Sequence, residues 1–105
     1  MENVLQPPET MDFDAKNLSQ TWKKWKEEVL LYIDISMDKK PEPQKVKLLL
    51  YLLGRKGREI HSTMQFQTTD EHGNKVDIEE KNITTKHILA EFDKHCDPKK
   101  NETVL

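Results

Sequence analysis

The stretch TWKKWKEEVLLYID, residues 21–34, carries two tryptophans three positions apart and decides the fold class of this chain. On a helical wheel of about 100° per residue, both tryptophans and part of its aliphatic side chains fall within one stripe, and Lys23, Lys24, Glu27 and Glu28 lie outside that stripe. The stripe contains Trp22, Trp25, Val29, Ile33 and Ser36, and Tyr32 and Met37 lie on its edges. This spacing predicts an amphipathic helix from about residues 18–20 to Met37, with both tryptophans on the core side and one indole half-exposed. A ligand-binding aromatic box is the alternative use of such a pair.

Leu31 and Ile35 do not belong to this stripe, because they lie one helical turn apart and point nearly away from it. Two arrangements are compatible with that position: another element covers the pair, or the pair is exposed for a partner. The N-terminal arm and the third helix are the candidates for covering it. We take Leu31 and Ile35, together with Trp25 and Tyr32, as the candidate interface.

The segment PEPQKVKLLLYLLG, residues 41–54, predicts a second helix. Pro43 is suited to the first helical turn. Apolar residues at i, i+3, i+4 and i+7, with further leucines between them, make the helix apolar almost all round, which is typical of a central helix. Gly54 and Gly57 interrupt the pattern and predict a C-cap, followed by a third helix over about residues 56–64.

The C-terminal half predicts one polar connection and one more helix. Residues 66–82 are polar and non-helical, and Gly73-Asn74 permits a small hairpin there. The segment TTKHILAEFDKHC, residues 84–96, predicts a helix that Thr84 or Thr85 caps and that Asp97-Pro98 ends. Its predicted inner face contains Ile88, Leu89, Phe92 and Cys96.

These elements predict an all-α fold, a small bundle of four to five helices. Residues 1–16 carry Pro7-Pro8 and no periodicity, which indicates an extended arm whose Leu5, Met11 or Phe13 docks on the core. Residues 17–100 form the helical domain. Asn101 is placed to cap a further helix that breaks off within residues 101–105, which predicts a longer parent protein. The candidate core is Trp22, Val29, Ile33, Val46, Leu49, Leu50, Leu53, Ile60, Met64, Ile88 and Phe92.

Composition excludes several function classes. The 105 residues carry a net charge of −2 with lysines and acids interspersed, so the concentrated basic field that nucleic-acid binding requires is missing. No apolar run reaches about 18 residues, which argues against a membrane span. The single Cys96 excludes an internal disulfide and suits a reducing compartment, and we expect a cytoplasmic protein. The Asn-x-Ser/Thr sites at Asn17, Asn82 and Asn101 are interpreted as helix caps.

The chain has few residues in a pattern suited to catalysis or metal binding. His87, Glu91 and His95 have the spacing that could hold a divalent metal, but they lie on the predicted solvent face of a charged helix. Residues 68–79 match a calcium loop at too few positions. Cys96, on a predicted inner face, lacks the accessible and electropositive setting of a catalytic thiol. We therefore expect a protein that is not an enzyme and that uses no cofactor or metal.

Three segments in this order resemble a known family. They are WKKWKEEVLLYI (22–33), KVKLLLYLLGRKGREIHSTM (45–64) and ILAEFDKHCDPKKNET (88–103). Together they resemble the capsid region of Gag from gypsy-type long-terminal-repeat retrotransposons and the Arc-like capsid proteins domesticated from it. Val29 stands where that family commonly has an aromatic residue, and His61 where it commonly has a tyrosine.

The resemblance implies a capsid N-terminal lobe, which a second helical lobe would follow in the full protein. Lobes of this family self-associate into a shell around RNA, so the implied partner is a second copy, held weakly by one lobe alone. In domesticated relatives the lobe can instead bind host peptides in an apolar groove. The two hypotheses are therefore a self-associating capsid domain and a monomeric peptide adaptor, and concentration-dependent mass separates them.

Overall fold

A computed structural model describes residues 6–97, and within that range the chain folds into three α-helices and a two-stranded sheet, not four or five helices. The predictions for Leu5 and for residues 101–105 lie outside the described residues. In chain order the elements are α1 (Leu18–Ser36), α2 (Glu42–His61), β1 (Gln67–Thr69), β2 (Lys75–Asp77), a 3-10 helix (Glu80–Asn82) and α3 (Thr85–Cys96).

Helix α1 forms close to its predicted bounds, and its ends are capped. The Asn17 side chain accepts a hydrogen bond from the Gln20 backbone N–H at 3.3 Å, as expected for an N-cap. At the other end the Met37 N–H donates to the Ile33 carbonyl at 2.8 Å. The buried residues of α1 are Trp22, Trp25, Val29 and Ile33, the four apolar members of the predicted stripe, whereas its fifth member, Ser36, is exposed at the end of the helix.

The range of α2 contains two helical limbs that meet at a non-helical Gly54, so the predicted second and third helices are both present and follow each other directly. Gly54 has φ 83° and ψ 179°, a conformation that residues with a Cβ atom rarely adopt. The guanidinium of Arg58 donates to the Leu50 carbonyl at 3.1 Å and to the Tyr51 carbonyl at 3.3 Å, in the turn that precedes the kink. The limb beyond Gly54 ends at His61, before the predicted Met64.

Helix α3 is fixed at its N-terminus by two separate contacts. The Thr84 side chain accepts from the His87 N–H, and the His87 ring Nδ1 accepts from the Thr84 N–H at 2.9 Å, which completes a capping box. Glu42, at the start of α2, accepts from the Thr85 N–H at 3.1 Å. Asn82, interpreted from the sequence as a cap, lies instead in the 3-10 helix.

The predicted hairpin is present and lies outside the core. Strands β1 and β2 pair antiparallel, with Thr68 opposite Val76. Asp70 Oδ1 accepts from the His72 and Asn74 backbone N–H groups, and Gly73 adopts φ 83° in the turn. All six strand residues are exposed, so the hairpin contributes little apolar burial to the domain.

The core lies between the three helices and is centred on aromatic rings. Trp22 stacks on Trp25 at 5.6 Å and on Phe92 at 5.5 Å between ring centroids. Seven of the candidate core residues are buried: Trp22, Val29, Ile33, Leu49, Leu53, Ile88 and Phe92. The other four candidates, Val46, Leu50, Ile60 and Met64, are partly buried and pack against the core. Met11, Leu52, Leu89 and Cys96 are buried as well.

A polar contact joins α1 to α3 at the edge of this core. The Trp22 indole N–H donates to Asp93 Oδ1 at 2.7 Å, and the Lys26 ammonium donates to both Asp93 oxygens at 3.1 and 2.9 Å. A partly buried carboxylate with this set of donors is a strong, charge-assisted contact. It links α1 to α3 beside the stacked aromatic rings.

Candidate interaction surface

The N-terminal arm, residues 6–16, contacts the helices at several points. The Trp25 indole N–H donates to the Glu9 carbonyl at 2.6 Å. The Thr10 side chain lies directly over Gly54, where a Cβ atom would overlap it. Met11 is buried in the core, and the Phe13 ring lies 5.7 Å from that of Phe92. The arm therefore has a fixed path across the kink of α2 and beside α1.

Between the arm and the outer face of α1 runs an open groove with a volume of about 670 Å³. Arm residues 6–12 form one wall, and Leu31, Tyr32 and Ile35 line the helix side. Leu31 is 64 % exposed and Ile35 is 62 % exposed. Of the two arrangements that the sequence left open, the described residues therefore show the exposed one. The arm passes beside the pair without covering it.

The two aromatic members of the candidate interface lie deeper. Trp25 is buried, because its indole packs on Trp22 and its N–H is bonded to the arm. Tyr32 is half-buried at the groove wall. Leu31 and Ile35 thus provide the broad apolar surface, while Trp25 holds the arm that makes the groove.

Acidic side chains surround this apolar pair. Residues 27–38 contain four acids and no lysine or arginine. Within residues 6–97, the exposed carboxylates Glu27, Glu28 and Asp34 take part in no ion pair. Lys24, which lies nearer the N-terminus of α1, is a basic residue that lines that end of the groove. We name Leu31, Ile35, Glu27, Glu28 and Asp34 together the α1 surface.

Two of the three residues considered for metal binding, His87 and Glu91, have other partners. His87 Nδ1 accepts the Thr84 N–H in the capping box, and Glu91 pairs with Lys94 at 3.2 Å. Across the part of the chain that the structure describes, no three His, Cys, Asp or Glu side chains are grouped so that they could hold a metal ion. Elsewhere, partial burial lowers the pKa of His61, and the charge of Glu80 opposes that shift. His61 packs on Phe66 with 5.6 Å between the ring centroids.

Cys96 is a buried thiol in an acidic environment. Burial, together with the negative charges of Asp93 and Asp97, raises its pKa from 9.0 to about 12. At neutral or mildly alkaline pH the side chain is therefore a neutral thiol, and the thiolate is the form that reacts.

We expect Cys96 to react with a disulfide reagent on the order of 10³-fold more slowly in the folded protein than in the unfolded chain at pH 8, since each pKa unit changes the thiolate fraction about tenfold. Absorbance of the released thiol measures the rate, and the same protein in guanidinium chloride is the control. Equal rates in both states would show that Cys96 is accessible and ionised, contrary to its placement.

Comparison with protein-family models, with curated proteins and with solved structures finds no match to this chain. None of the helices within residues 6–97 combines the length and the apolar character needed to cross a bilayer. The features of this chain that bear on its function are the three ordered sequence segments and the groove between the arm and α1.

Proposed function

We propose that this chain is a Gag-derived capsid-type N-terminal lobe and that its function is self-association, in a retrotransposon Gag protein or a domesticated descendant. In this proposal it is a cytoplasmic, non-enzymatic domain that does not itself bind nucleic acid. The three resembling segments support it, because they coincide with α1, with α2 and the turn after it, and with α3 and the residues that follow. The observation that carries the proposal is the exposure of Leu31 and Ile35 on the outer face of α1.

An exposed leucine and isoleucine one turn apart favour association because their contact with a partner removes apolar surface from water. The pair is also rigidly placed. Val29, which precedes the pair, and Ile33, which lies between its two members, are buried on the opposite face of the same helix. Little backbone entropy is lost when such a surface binds. One lobe offers a small contact area, so weak association is expected.

The second candidate function is that of a monomeric adaptor for peptides of a host partner. The observation that favours it is the groove itself, which has an apolar helix on one side and an extended arm on the other. Concave, partly apolar sites of several hundred Å³ are suited to side chains of a bound peptide. In this case the occupant of the groove would be an extended apolar segment and not a second folded copy.

We expect Leu31→Glu and Ile35→Glu to leave the fold intact and to reduce self-association at least about tenfold, because each places a charge in an exposed apolar contact. Circular dichroism tests the fold, and sedimentation velocity over a concentration series tests the association. Val76→Glu is the matched control, because Val76 is also an exposed apolar residue but lies on the hairpin.

The outcomes separate the two functions. Concentration-dependent mass in the parent and in Val76→Glu, but not in the two groove variants, supports the capsid function. A parent that stays monomeric at every concentration overturns it. In that event, binding of extended apolar peptides that Leu31→Glu abolishes would favour the adaptor.

A further inference from the structure

A second exposed apolar surface lies on α2, around Tyr51. The Tyr51 side chain is 73 % exposed, the highest value among the exposed large apolar residues of the described chain. Lys47 is exposed one turn before Tyr51, and the Arg58 guanidinium donates a hydrogen bond to the Tyr51 carbonyl at 3.3 Å. We name Tyr51, Lys47 and Arg58 the α2 surface.

The α2 surface has the opposite charge to the α1 surface. Residues 44–58 contain five lysines and arginines and no acid, whereas residues 27–38 contain four acids and no base. Lys47 and Arg58 form no ion pair within residues 6–97, and neither do the carboxylates of the α1 surface. Each surface thus combines an exposed apolar centre with unpaired charges of one sign.

The two surfaces do not satisfy each other inside one molecule. Leu31, Ile35 and Tyr51 are all more than half exposed in the folded chain. Two different, complementary surfaces on one domain lead to a heterologous contact, in which each copy uses one surface toward each neighbour. Two copies of the α1 surface facing each other would instead bring like charges together, which costs free energy.

We propose that copies of this domain associate head to tail, with Tyr51 of one copy entering the groove beside Leu31 and Ile35 of the next. This inference rests on the proposed self-association and specifies its geometry. The groove, at about 670 Å³, has room for a tyrosine side chain. Lys47 and Arg58 of the α2 surface then face Glu27, Glu28 and Asp34 of the next copy. Such contacts build rings or open chains and not closed two-fold dimers.

Mixing two variants tests this geometry. Tyr51→Ala removes the inserted side chain but keeps the groove, while Leu31→Glu damages the groove but keeps Tyr51. We expect each variant alone to associate at least about tenfold more weakly than the parent, whose mass rises beyond that of a dimer. An equimolar mixture restores one intact contact, so it forms heterodimers with parent affinity and nothing larger. Sedimentation velocity with one variant fluorescently labelled measures both affinity and size.

A charge exchange gives an independent measurement. Lys47→Glu alone and Glu28→Lys alone should each associate more weakly than the parent, and a mixture of the two should associate as the parent does. Added salt should weaken the self-association of the parent. Both positions are exposed, and circular dichroism verifies that the variants fold. If Tyr51→Ala associates as the parent does, the head-to-tail contact is overturned while self-association stands. A parent that is monomeric throughout overturns both proposals.

Discussion

Gly54→Ala is expected to destabilise the domain by about 3–5 kcal/mol, because two separate penalties act at this position. A φ of 83° with a ψ of 179° lies in a region that is essentially restricted to glycine, and a residue with a Cβ atom is strained there by about 1–3 kcal/mol. The added methyl group would also overlap the Thr10 side chain of the arm. Relief requires movement of the arm, and that movement disturbs the contact between Trp25 and Glu9.

Gly73→Ala is the matched control for this experiment. Gly73 has the same φ of 83°, but nothing lies within 4 Å of a Cβ atom built on it. Gly73→Ala should therefore destabilise the domain by about 1 kcal/mol, because alanine is strained in the left-handed backbone conformation. Urea unfolding followed by circular dichroism gives both values. Equal destabilisation at the two glycines would show that the arm does not pack on the kink.

Replacing Thr10 with glycine separates the two penalties at Gly54. In the double variant the overlap is removed and the backbone strain remains, so part of the lost stability should return. The double variant should be destabilised by about 1 kcal/mol less than the sum of the two single changes, a coupling of the size seen for other contacting pairs. The same variant also reports on the groove, whose wall is the arm that Thr10 holds in place.

Local periodicity was sufficient to predict the helices but not how they join. The spacing of Trp22, Trp25, Val29 and Ile33 is a property of the sequence alone, and the structure buries these four residues. Gly54 can end a helix or kink it, and the two cases have the same local signal. Two contacts at the kink involve residues that local periodicity does not identify: Arg58 donates hydrogen bonds to the carbonyls before it, and the arm lies over it.

The candidate interface illustrates a second limit. The sequence placed Leu31 and Ile35 away from the core side, because that follows from the helical repeat. Whether they are covered depends on the route of the arm, which is set by contacts between distant residues, such as Trp25 with Glu9. Residues 6–16 have no periodic pattern from which that route follows. Met11 and Phe13 were the available signal, as isolated apolar residues in a polar segment.

Trp22→Ala should be the most destabilising change at the centre of the core, with an expected loss of about 3–5 kcal/mol. Trp22 is 1 % exposed and its ring stacks on Trp25 and Phe92, so its removal leaves a large cavity between α1 and α3. A loss of this size is a large part of the stability of a small domain. Denaturant unfolding followed by far-ultraviolet circular dichroism measures it without relying on tryptophan fluorescence.

Trp22→Phe separates packing from hydrogen bonding at the same site. Phenylalanine keeps much of the ring contact but has no N–H for Asp93, which then retains the Lys26 ammonium as its donor. We expect a loss of about 1–2 kcal/mol for this variant, clearly less than for alanine.

Asp93→Ala tests the same hydrogen bond from the side of its acceptor. Its effect should be smaller in the Trp22→Phe background than in the parent, because the indole no longer needs an acceptor. Additive effects of the two changes, or an unfolding midpoint of Trp22→Ala equal to that of the parent, would contradict the placement of Trp22. Since Asp93 joins α1 to α3, a measured coupling would give the free energy with which this contact holds together the helix that carries Leu31 and Ile35 and its neighbour.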